Sequence, residues 1–249
     1  MSLVTFKALQ QMGGLGNQLF QMAATIGYAK DHGKDFIFPR WSYQDYIPIA
    51  IGEVSEPCAD LSEQWIRYTN LPHVEGNANI HGHLFSTKYF RRHIGFLLNY
   101  FKLTEKWEKY ISLKYGELLK QDTCSIHVRR GNYLEPEQLT NQGLMGMDYY
   151  NKAGEIMGSS KTYLVFSDDI AWCKENFVGG NLHFIEGEAD IIDLFLMSKC
   201  KNNIIGNSTF SYWAATLNQN PGHKVVAPRQ WFVNTEGWPD LYGDGWMII

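Results

Sequence analysis

Two adjacent arginines near the middle of the chain, Arg129 and Arg130, are the residues whose type and spacing most directly suggest chemistry. They follow an alternating apolar run at 125–128 and precede Gly131 and Asn132, a pattern that predicts a strand running into a turn. A guanidinium group keeps its proton at physiological pH, and its planar fork of donors matches the oxygens of a phosphate or carboxylate. The pair therefore indicates an anion site at the end of a strand. In the alternative interpretation, one arginine pairs with a carboxylate of its own domain and the other is solvated.

Two other polar segments follow predicted strands. Ser167, Asp168 and Asp169 follow one strand, and a Gly-Asn-Ser-Thr segment at 206–209 follows a later one. Ligands of parallel sheets bind outside the carboxyl ends of the strands, where loops and helix amino termini meet. We therefore expect His127, the two arginines and both segments to converge on one edge of a sheet.

Each of these segments has a structural and a ligand-binding interpretation. Ser208 and Thr209 can cap the next helix, but the same turn can hold a phosphate through hydroxyls and amides. Asp168 and Asp169 can also cap a helix, or hold a divalent metal with a nucleotide diphosphate. We disfavour the metal because the two arginines already supply the positive charge. A carboxylate at this edge could instead accept hydrogen bonds from N1 and N2 of a guanine base.

A glycine-rich turn near the amino terminus precedes a predicted helix at 18–32. Such a turn lets a ligand approach the backbone and points free amide hydrogens at it. The dinucleotide fingerprint G-x-G-x-x-G fails here, because Leu19 occupies the third glycine position after Gly14 and Gly16. Asn17 and the glutamine after it can cap the helix or contact a polar ligand.

From residue 122 onward, β-rich runs alternate with helical patterns of about ten residues. This alternation is typical of βαβ units, which form a parallel sheet covered on both faces. It predicts a Rossmann-like domain. The predicted strands are 123–128, 162–166, 182–185, 203–205 and 224–227, and the predicted helices are 148–157, 170–177, 189–199 and 210–217.

The first half of the chain is less regular. The segment 41–71 is rich in aromatic, proline and polar residues without a clear period, and we interpret it as loops and short helices. Apolar spacing predicts a helical region at 89–119. The predicted strands of this half are 4–9, 36–39 and 79–85.

Two pairs of basic residues in this half have ordinary interpretations. His81 and His83 lie on one face of a predicted strand, a spacing that can ligate a metal. No third ligand stands in a recognisable frame, so we interpret them as ordinary or substrate-facing histidines. Arg91 and Arg92 are expected to form a solvated face.

Composition limits the possible functions. The 249 residues are 45% apolar and 14% aromatic, enough for a sizeable core in one large or two small domains. A formal charge of −4 gives no basic field for nucleic acid, so we expect no nucleic-acid partner. The four cysteines contain no Cys-x-x-Cys pair and are expected to be reduced: Cys58, Cys124, Cys173 and Cys200.

Neither a targeting signal nor a membrane span is evident. The first eleven residues lack a basic segment followed by a long apolar run, and no stretch reaches the roughly 18 apolar residues that a span needs. We expect a cytoplasmic location, with peripheral contact at the inner face of a membrane left open.

Four segments together resemble the motifs of the α-1,2-fucosyltransferases, glycosyltransferase family eleven. They occur in family order and span most of the chain: 13–21 (GGLGNQLFQ), 127–133 (HVRRGNY), 166–169 (FSDD) and 207–215 (NSTFSYWAA). The resemblance implies an α/β, GT-B-like fold in which two Rossmann-like domains face a cleft. Residues 1–121 would be the acceptor-side domain with the glycine-rich turn, and 122–249 the GDP-sugar-binding domain with its parallel sheet. One departure is Asn132, where the family usually has Asp.

The resemblance also implies an activity and its residues. The donor is GDP-fucose, the acceptor a terminal galactoside, and the transfer inverts the anomeric carbon without metal or other cofactor. Arg129 contacts the diphosphate, His127 lies near the nucleoside, and Asn17 lies near the fucose, so Arg129 and Asn17 are the expected catalytic residues. Ser208 and Thr209 would hold phosphate oxygens and Asp168 the guanine. The other residues implied to bind substrate are Arg130, Asn207, Phe210, Gly14 and Gly16.

The expected mechanism follows from charge. As GDP departs, negative charge grows on the β-phosphate oxygen, and a fixed cation aimed at that oxygen stabilises the transition state more than the ground state. Asn132 cannot act as a general base. His81, His83 and Glu53 are candidates, and departure of GDP ahead of deprotonation would need no base.

Two other functions stay open from the sequence. A nicotinamide-dependent oxidoreductase could use the amino-terminal glycine turn. A non-catalytic carbohydrate-binding module would be consistent with eight tryptophans and fourteen tyrosines.

Overall fold

The structure, a computed structural model, describes residues 2–64, 67–179, 181–233 and 240–249. The chain divides into two compact units, Met1–Lys106 and Trp107–Ile249. Each unit is built on a sheet whose described strands all pair in parallel. The expected α/β class and the parallel sheet of the carboxyl-terminal half are therefore confirmed.

The first unit carries a four-stranded sheet in the order β2-β1-β4-β3. Its strands are β1 (Leu3–Thr5), β2 (Asp35–Phe36), β3 (Cys58–Ser62) and β4 (Asn77–His81). Its helices are α1 (Leu15–Asp31) and α2 (Ile94–Tyr100), and 3-10 turns lie at Thr87–Tyr89 and Arg91–His93. The exposed Arg91 and Arg92 confirm the solvated face that the sequence predicted.

Helix α1 is the buried centre of the first unit. Leu19, Phe20 and Met22 are wholly buried, and nearly every other residue of the helix is buried as well. Close packing explains Gly27, because a Cβ there would lie 2.1 Å from the carbonyl oxygen of Tyr89. The predicted helix is confirmed, and it begins three residues earlier than the apolar pattern indicates, at Leu15.

The interpretation of 41–71 as loops and short helices is wrong at β3. This edge strand pairs with β4 over five residues, from Cys58 with Asn77 to Ser62 with His81. Its sequence, Cys-Ala-Asp-Leu-Ser, shows weak alternation because only Leu61 is buried. Residues 65 and 66 of the same segment lie outside the described residues.

The second unit carries a six-stranded sheet in the order β10-β9-β8-β5-β6-β7. Its strands are β5 (Thr123–Val128), β6 (Thr162–Ser167), β7 (Leu182–Phe184), β8 (Asn202–Ile204), β9 (Val225–Ala227) and β10 (Met247–Ile248). Its helices are α3 (Glu105–Leu119), α4 (Pro136–Asn141), α5 (Met147–Met157), α6 (Ile170–Asn176), α7 (Asp190–Lys199) and α8 (Thr209–Thr216), with a 3-10 turn at Gly131–Leu134. All predicted strands and helices of this half are confirmed within one residue at each end.

Strand β5 lies near the middle of the sheet and is buried along its whole length. It pairs with β6 on one side and β8 on the other. The segments that follow these three strands therefore meet at one edge, as expected.

Helix α3 groups with the second unit, whereas the sequence-based division at 121/122 places it in the first. The structural division falls between Lys106 and Trp107. Tyr115 of α3 donates a 2.7 Å hydrogen bond to Glu188, and Lys114 forms an ion pair with the same carboxylate. These contacts attach α3 to the second unit.

Candidate active site

Arg129 lies just beyond the carboxyl end of β5, where three neighbours orient its guanidinium group. Nη1 lies 2.7 Å from Oδ2 of Asp168. Nη2 donates a hydrogen bond to Oδ1 of Asn132. The guanidinium carbon lies 5.4 Å from the centre of the Tyr133 ring, within cation–π range. Because 35% of the side chain stays exposed, the group is both oriented and accessible to an anion.

Arg130 is held more tightly and in a different direction. Its Nε lies 3.0 Å from Oδ2 of Asp169, and its guanidinium carbon lies 4.1 Å from the ring centre of Trp172. Only 16% of its side chain is exposed. Both arginines therefore pair with carboxylates of their own unit and neither is simply solvated. Arg129 is the more accessible of the two.

Asp169 also caps helix α6. Its Oδ1 accepts a hydrogen bond from the backbone nitrogen of Trp172 at 3.2 Å, which confirms the predicted cap. The hydrogen bond from Arg130, followed by that from Trp172, lowers the pKa of this carboxyl group. Asp169 therefore stays ionised and keeps Arg130 in place.

Asp168 binds both residues of the arginine segment, Arg129 and Arg130. Besides the ion pair with Arg129, its Oδ1 accepts a 2.8 Å hydrogen bond from the backbone nitrogen of Arg130. This approach requires glycine at position 131, because a Cβ there would lie 2.2 Å from Oδ2 of Asp168. Guanine recognition by Asp168 stays a prediction, and both of its oxygens already accept bonds from the protein.

We expect Gly131→Ala to disorient Arg129 without unfolding the protein. The new methyl group displaces the end of a flexible side chain, so Asp168 can rotate away, but Arg129 then loses its carboxylate partner. Turnover should fall by about tenfold or more, since small misplacements of a positioning group are costly. Gly146→Ala is the matched control, because a Cβ there meets nothing within 4 Å. Equal activity of the two variants would contradict this role of Gly131.

His127 lies in the last part of β5 and is 5% exposed. Burial, followed by the positive charge of Arg129, lowers its pKa to about 3, so the imidazole is neutral at physiological pH. Its ring lies 5.3 Å from that of Phe210. Nδ1 has no hydrogen-bond partner within the described chain. A neutral ring in this position can donate or accept a hydrogen bond but contributes no charge.

The segment between β8 and α8 lies next to the arginine segment. The side-chain amide of Asn207 donates to the carbonyl oxygens of Gln142 (2.8 Å), Gly143 (3.3 Å) and Trp231 (3.3 Å), so its donors hold neighbouring loops. Ser208 occupies the cap position of α8, but its hydroxyl accepts no bond from the first turn in the part of the chain that is described. The Ser208 hydroxyl therefore does not cap α8. Thr209 and Phe210 begin the helix and are half-buried.

Asp193 is a further candidate site residue, which the sequence did not single out. It lies in the first turn of α7, which follows the carboxyl end of β7 at the same edge of the sheet. Burial, then repulsion by Glu188 and Asp190, raises its pKa to about 7. Its Oδ1 has no hydrogen-bond partner among the described residues. The sequence does hold a signal, an acid inside the apolar run Ile191–Leu196, but only packing shows that the residue is half-buried and that its Oδ1 is inaccessible to solvent.

In the first unit, buried glutamines organise the glycine-rich turn. Gln18 donates to the carbonyl oxygen of Gly13 at 3.0 Å and accepts from the Trp41 indole at 2.7 Å. Gln21 donates to the carbonyl oxygen of Met12 at 2.9 Å. The turn leaves Gly14, the residue before α1, exposed, whereas Gly16 is buried and Asn17 half-buried in the first turn of α1. Their predicted roles at the substrate stay predictions.

The candidate bases of the first unit differ in environment. His83 is half-buried, and burial, followed by the nearby His81, lowers its pKa. His81 is exposed and stacks on Phe6, and Glu53 is also exposed. No group of three His, Cys, Asp or Glu side chains among the described residues could hold a metal ion. The expected independence from metal stays a prediction.

The predicted state of the cysteines is confirmed, since all four are free thiols. Among the described residues, no helix is both long enough and apolar enough to cross a membrane.

The two units, each built on a parallel sheet, have the GT-B fold. Solved fucosyltransferases share this fold. Fucosyltransferase NodZ from Bradyrhizobium superposes with a TM-score of 0.59 at 16% identity, over 89% of this chain and 97% of that chain. POFUT1 in complex with GDP-fucose superposes with a TM-score of 0.53 at 12% identity, over 90% of this chain and 97% of that chain.

The chain belongs to glycosyl transferase family 11, whose family model matches residues 54–249. It is 32% identical to an alpha-1,2-colitosyltransferase of Escherichia coli, over 90% of this chain and 91% of that protein. It is 41% identical to the O-antigen biosynthesis glycosyltransferase WbnK of Escherichia coli, over 51% of this chain and 45% of WbnK. It is 23% identical to galactoside alpha-(1,2)-fucosyltransferase 1 of Alouatta caraya, over 82% of this chain. The match spans 63% of that protein, so the chain covers less than two thirds of two of these relatives.

Proposed function

We propose that the protein is an inverting, metal-independent α-1,2-fucosyltransferase that moves L-fucose from GDP-fucose to the 2-hydroxyl of a terminal galactoside. One observation above all supports the proposal. Arg129 is oriented by Asp168, Asn132 and Tyr133, yet it remains accessible at the carboxyl edge of the sheet. A fixed guanidinium group in that position suits a diphosphate.

The proposed chemistry uses this charge. The acceptor hydroxyl forms its bond to the anomeric carbon while the bond from that carbon to the β-phosphate oxygen breaks, and the bonding electrons leave with GDP. Negative charge therefore grows on the oxygen that Arg129 would contact. An oriented cation stabilises this charge more in the transition state than in the ground state. The side chain of Asn132 is an amide, so the proton of the hydroxyl must go to another group or to water.

The rest of GDP can be assigned to the same edge. Helices α7 and α8 pack against each other, and each follows a strand of the same parallel sheet, so both begin at its carboxyl edge. The start of α8, where the Ser208 hydroxyl makes no capping bond in the described chain, is suited to the phosphates. Asp193 at the start of α7 is suited to the guanine base, because its Oδ1 lacks a partner in the described chain whereas Asp168 already accepts from Arg129.

Relatives and structural neighbours support the donor and the linkage. NodZ alpha-1,6-fucosyltransferase was soaked with GDP-fucose, and POFUT1 was solved in complex with it. The related proteins include galactoside alpha-(1,2)-fucosyltransferases. A second candidate is α-1,2-colitosyl transfer, favoured by the relative that matches 90% of this chain. Colitose is L-fucose without its 3-hydroxyl, so the two donors share the same nucleotide and differ at one sugar position.

A donor screen tests the proposal. The purified protein is incubated with lactose and either GDP-fucose, GDP-colitose or GDP-mannose, with and without EDTA, and the products are read by mass spectrometry. We expect a fucosylated lactose that also forms in EDTA. Methylation analysis should place the new linkage on the 2-hydroxyl of galactose, and NMR should show the α anomer.

Other outcomes identify other functions. Preference for GDP-colitose would establish the second candidate. Binding of NAD rather than GDP in a calorimetric titration would support an oxidoreductase. Sugar binding without GDP binding, and without hydrolysis of any GDP-sugar, would support a carbohydrate-binding module. Each of these results would overturn fucosyl transfer.

A further inference from the structure

Tyr133 connects the two segments that the proposed function places at the diphosphate. Its ring lies beside the guanidinium group of Arg129, with 5.4 Å between ring centre and guanidinium carbon. Its hydroxyl donates a 3.1 Å hydrogen bond to the backbone carbonyl of Asn207. One rigid side chain therefore spans from the arginine to the residue that precedes Ser208.

The far end of this connection is firmly anchored. Asn207 is 1% exposed, and its side-chain amide donates to three backbone carbonyls of neighbouring loops. The Tyr133 side chain is half-buried, and burial raises the pKa of its phenol, so the hydroxyl keeps its proton and donates at physiological pH. The backbone of Asn207, which accepts the hydrogen bond, and the hydroxyl of Tyr133, which donates it, are therefore both held in place.

The near end is also restricted. Arg129 donates to Asn132, the residue before Tyr133, and both lie in the 3-10 turn Gly131–Leu134. A shift of Tyr133 would therefore move the acceptor of Arg129 as well as its ring contact. Tyr133 therefore bridges the guanidinium group and the residue that precedes the start of α8.

We propose that Tyr133 is a positioning residue, which sets the distance between Arg129 and the amino terminus of α8 so that both can contact one diphosphate. This inference rests on the proposed function. Tyr133 acts through Arg129 and through the backbone of Asn207, and it need not touch the substrate.

The test is a double-mutant cycle on nucleotide affinity. GDP and GMP are titrated by calorimetry into the wild type, Tyr133→Phe, Arg129→Ala and the double variant. Tyr133→Phe keeps the ring and removes only the hydroxyl, and one lost hydrogen bond corresponds to about a fivefold to tenfold change. We expect GDP affinity to fall by that factor and GMP affinity to change by less than about twofold. In the Arg129→Ala background, Tyr133→Phe should have no further effect on GDP.

Tyr163→Phe is the matched control. Tyr163 lies in the same unit, and its hydroxyl also donates to backbone carbonyls, those of Gly154 and Gly158. We expect this variant to bind GDP and GMP as the wild type does. An equal loss for GDP and GMP, or a full loss on top of Arg129→Ala, would show that Tyr133 only supports the fold and would overturn the inference. Failure of the wild type to bind GDP would instead reject the proposed function.

Discussion

Arg129→Ala is expected to leave the protein folded and to lower turnover with GDP-fucose by about a hundredfold to a thousandfold, the usual cost of losing one preorganised charge at a departing oxygen. The side chain is 35% exposed, so truncation opens its space to solvent and leaves no closed cavity. Its partner Asp168 keeps the backbone nitrogen of Arg130 as a donor and stays accessible to water. The measurements are initial rates of transfer to lactose and the midpoint of urea unfolding.

Variants at two other arginines test whether the effect is specific to the position of Arg129 or follows from the loss of any positive charge. Arg92→Ala removes an exposed arginine of the first unit and should change neither rate nor stability. Arg130→Ala removes the contacts to Asp169 and Trp172, so we expect a lower urea midpoint. Arg129→Lys should recover only part of the rate, because an ammonium group lacks the planar fork. Near wild-type turnover of Arg129→Ala would remove this residue from the mechanism.

The strands and helices from residue 122 onward were predictable from sequence because the burial of each strand shows directly in its residue types. Strand β6 is buried along most of its length and contains a continuous apolar run at 163–166, and the fully buried β5 alternates apolar with small or polar residues, so both stand out from the helical periods around them. Strand β3 lacks that signal, because an edge strand can satisfy its pairing through the backbone while most of its side chains face water. Backbone pairing leaves no trace in side-chain type.

The candidate site was predictable in part for a related reason. The position of Arg129 follows from one strand and one turn, which are local features of the sequence. Its partner Asp168 follows from the pairing of β5 with β6, which a sequence pattern does not specify. The pairing of Arg130 with Asp169 has the same origin. The sequence therefore indicates where the charged residues lie. The order of the strands decides which carboxylates pair with the arginines, and so how accessible each arginine is to a ligand.

Asp193 shows the same limit for a single residue. An acid in the first turn of a helix is ordinarily a favourable and exposed partner of the helix dipole. The packing of α7 half-buries this one and raises its pKa, while Asp190, in the same turn, stays exposed. Helix position alone does not separate the two residues, so only the structure identifies Asp193 as a candidate for base recognition.

We expect Asp193→Asn to change base preference from GDP toward xanthosine diphosphate. Guanine offers the N1 and N2 hydrogens to a carboxylate, whereas xanthine has an oxygen at position 2, which an amide nitrogen can donate to. Loss of paired, charge-assisted bonds should weaken GDP binding by about tenfold to a hundredfold. Calorimetric titration with GDP, inosine diphosphate and xanthosine diphosphate measures the preference. Asp190→Asn, in the same helical turn, is the control and should bind GDP normally.

The same substitution should stabilise the fold at alkaline pH. The pKa of Asp193 rises from its ordinary 3.8 to about 7 on folding. Stability from the protonated form is therefore fully present below about pH 4 and is lost as pH rises through about 7. An asparagine cannot ionise, so at pH 8 the variant should be more stable by roughly 1–3 kcal/mol, and the gain should vanish near pH 4. Urea unfolding at both pH values measures it. A variant that binds GDP less tightly yet unfolds later at pH 8 would show that the buried charge is kept for the ligand at the expense of the fold, whereas unchanged GDP affinity would remove Asp193 from the site.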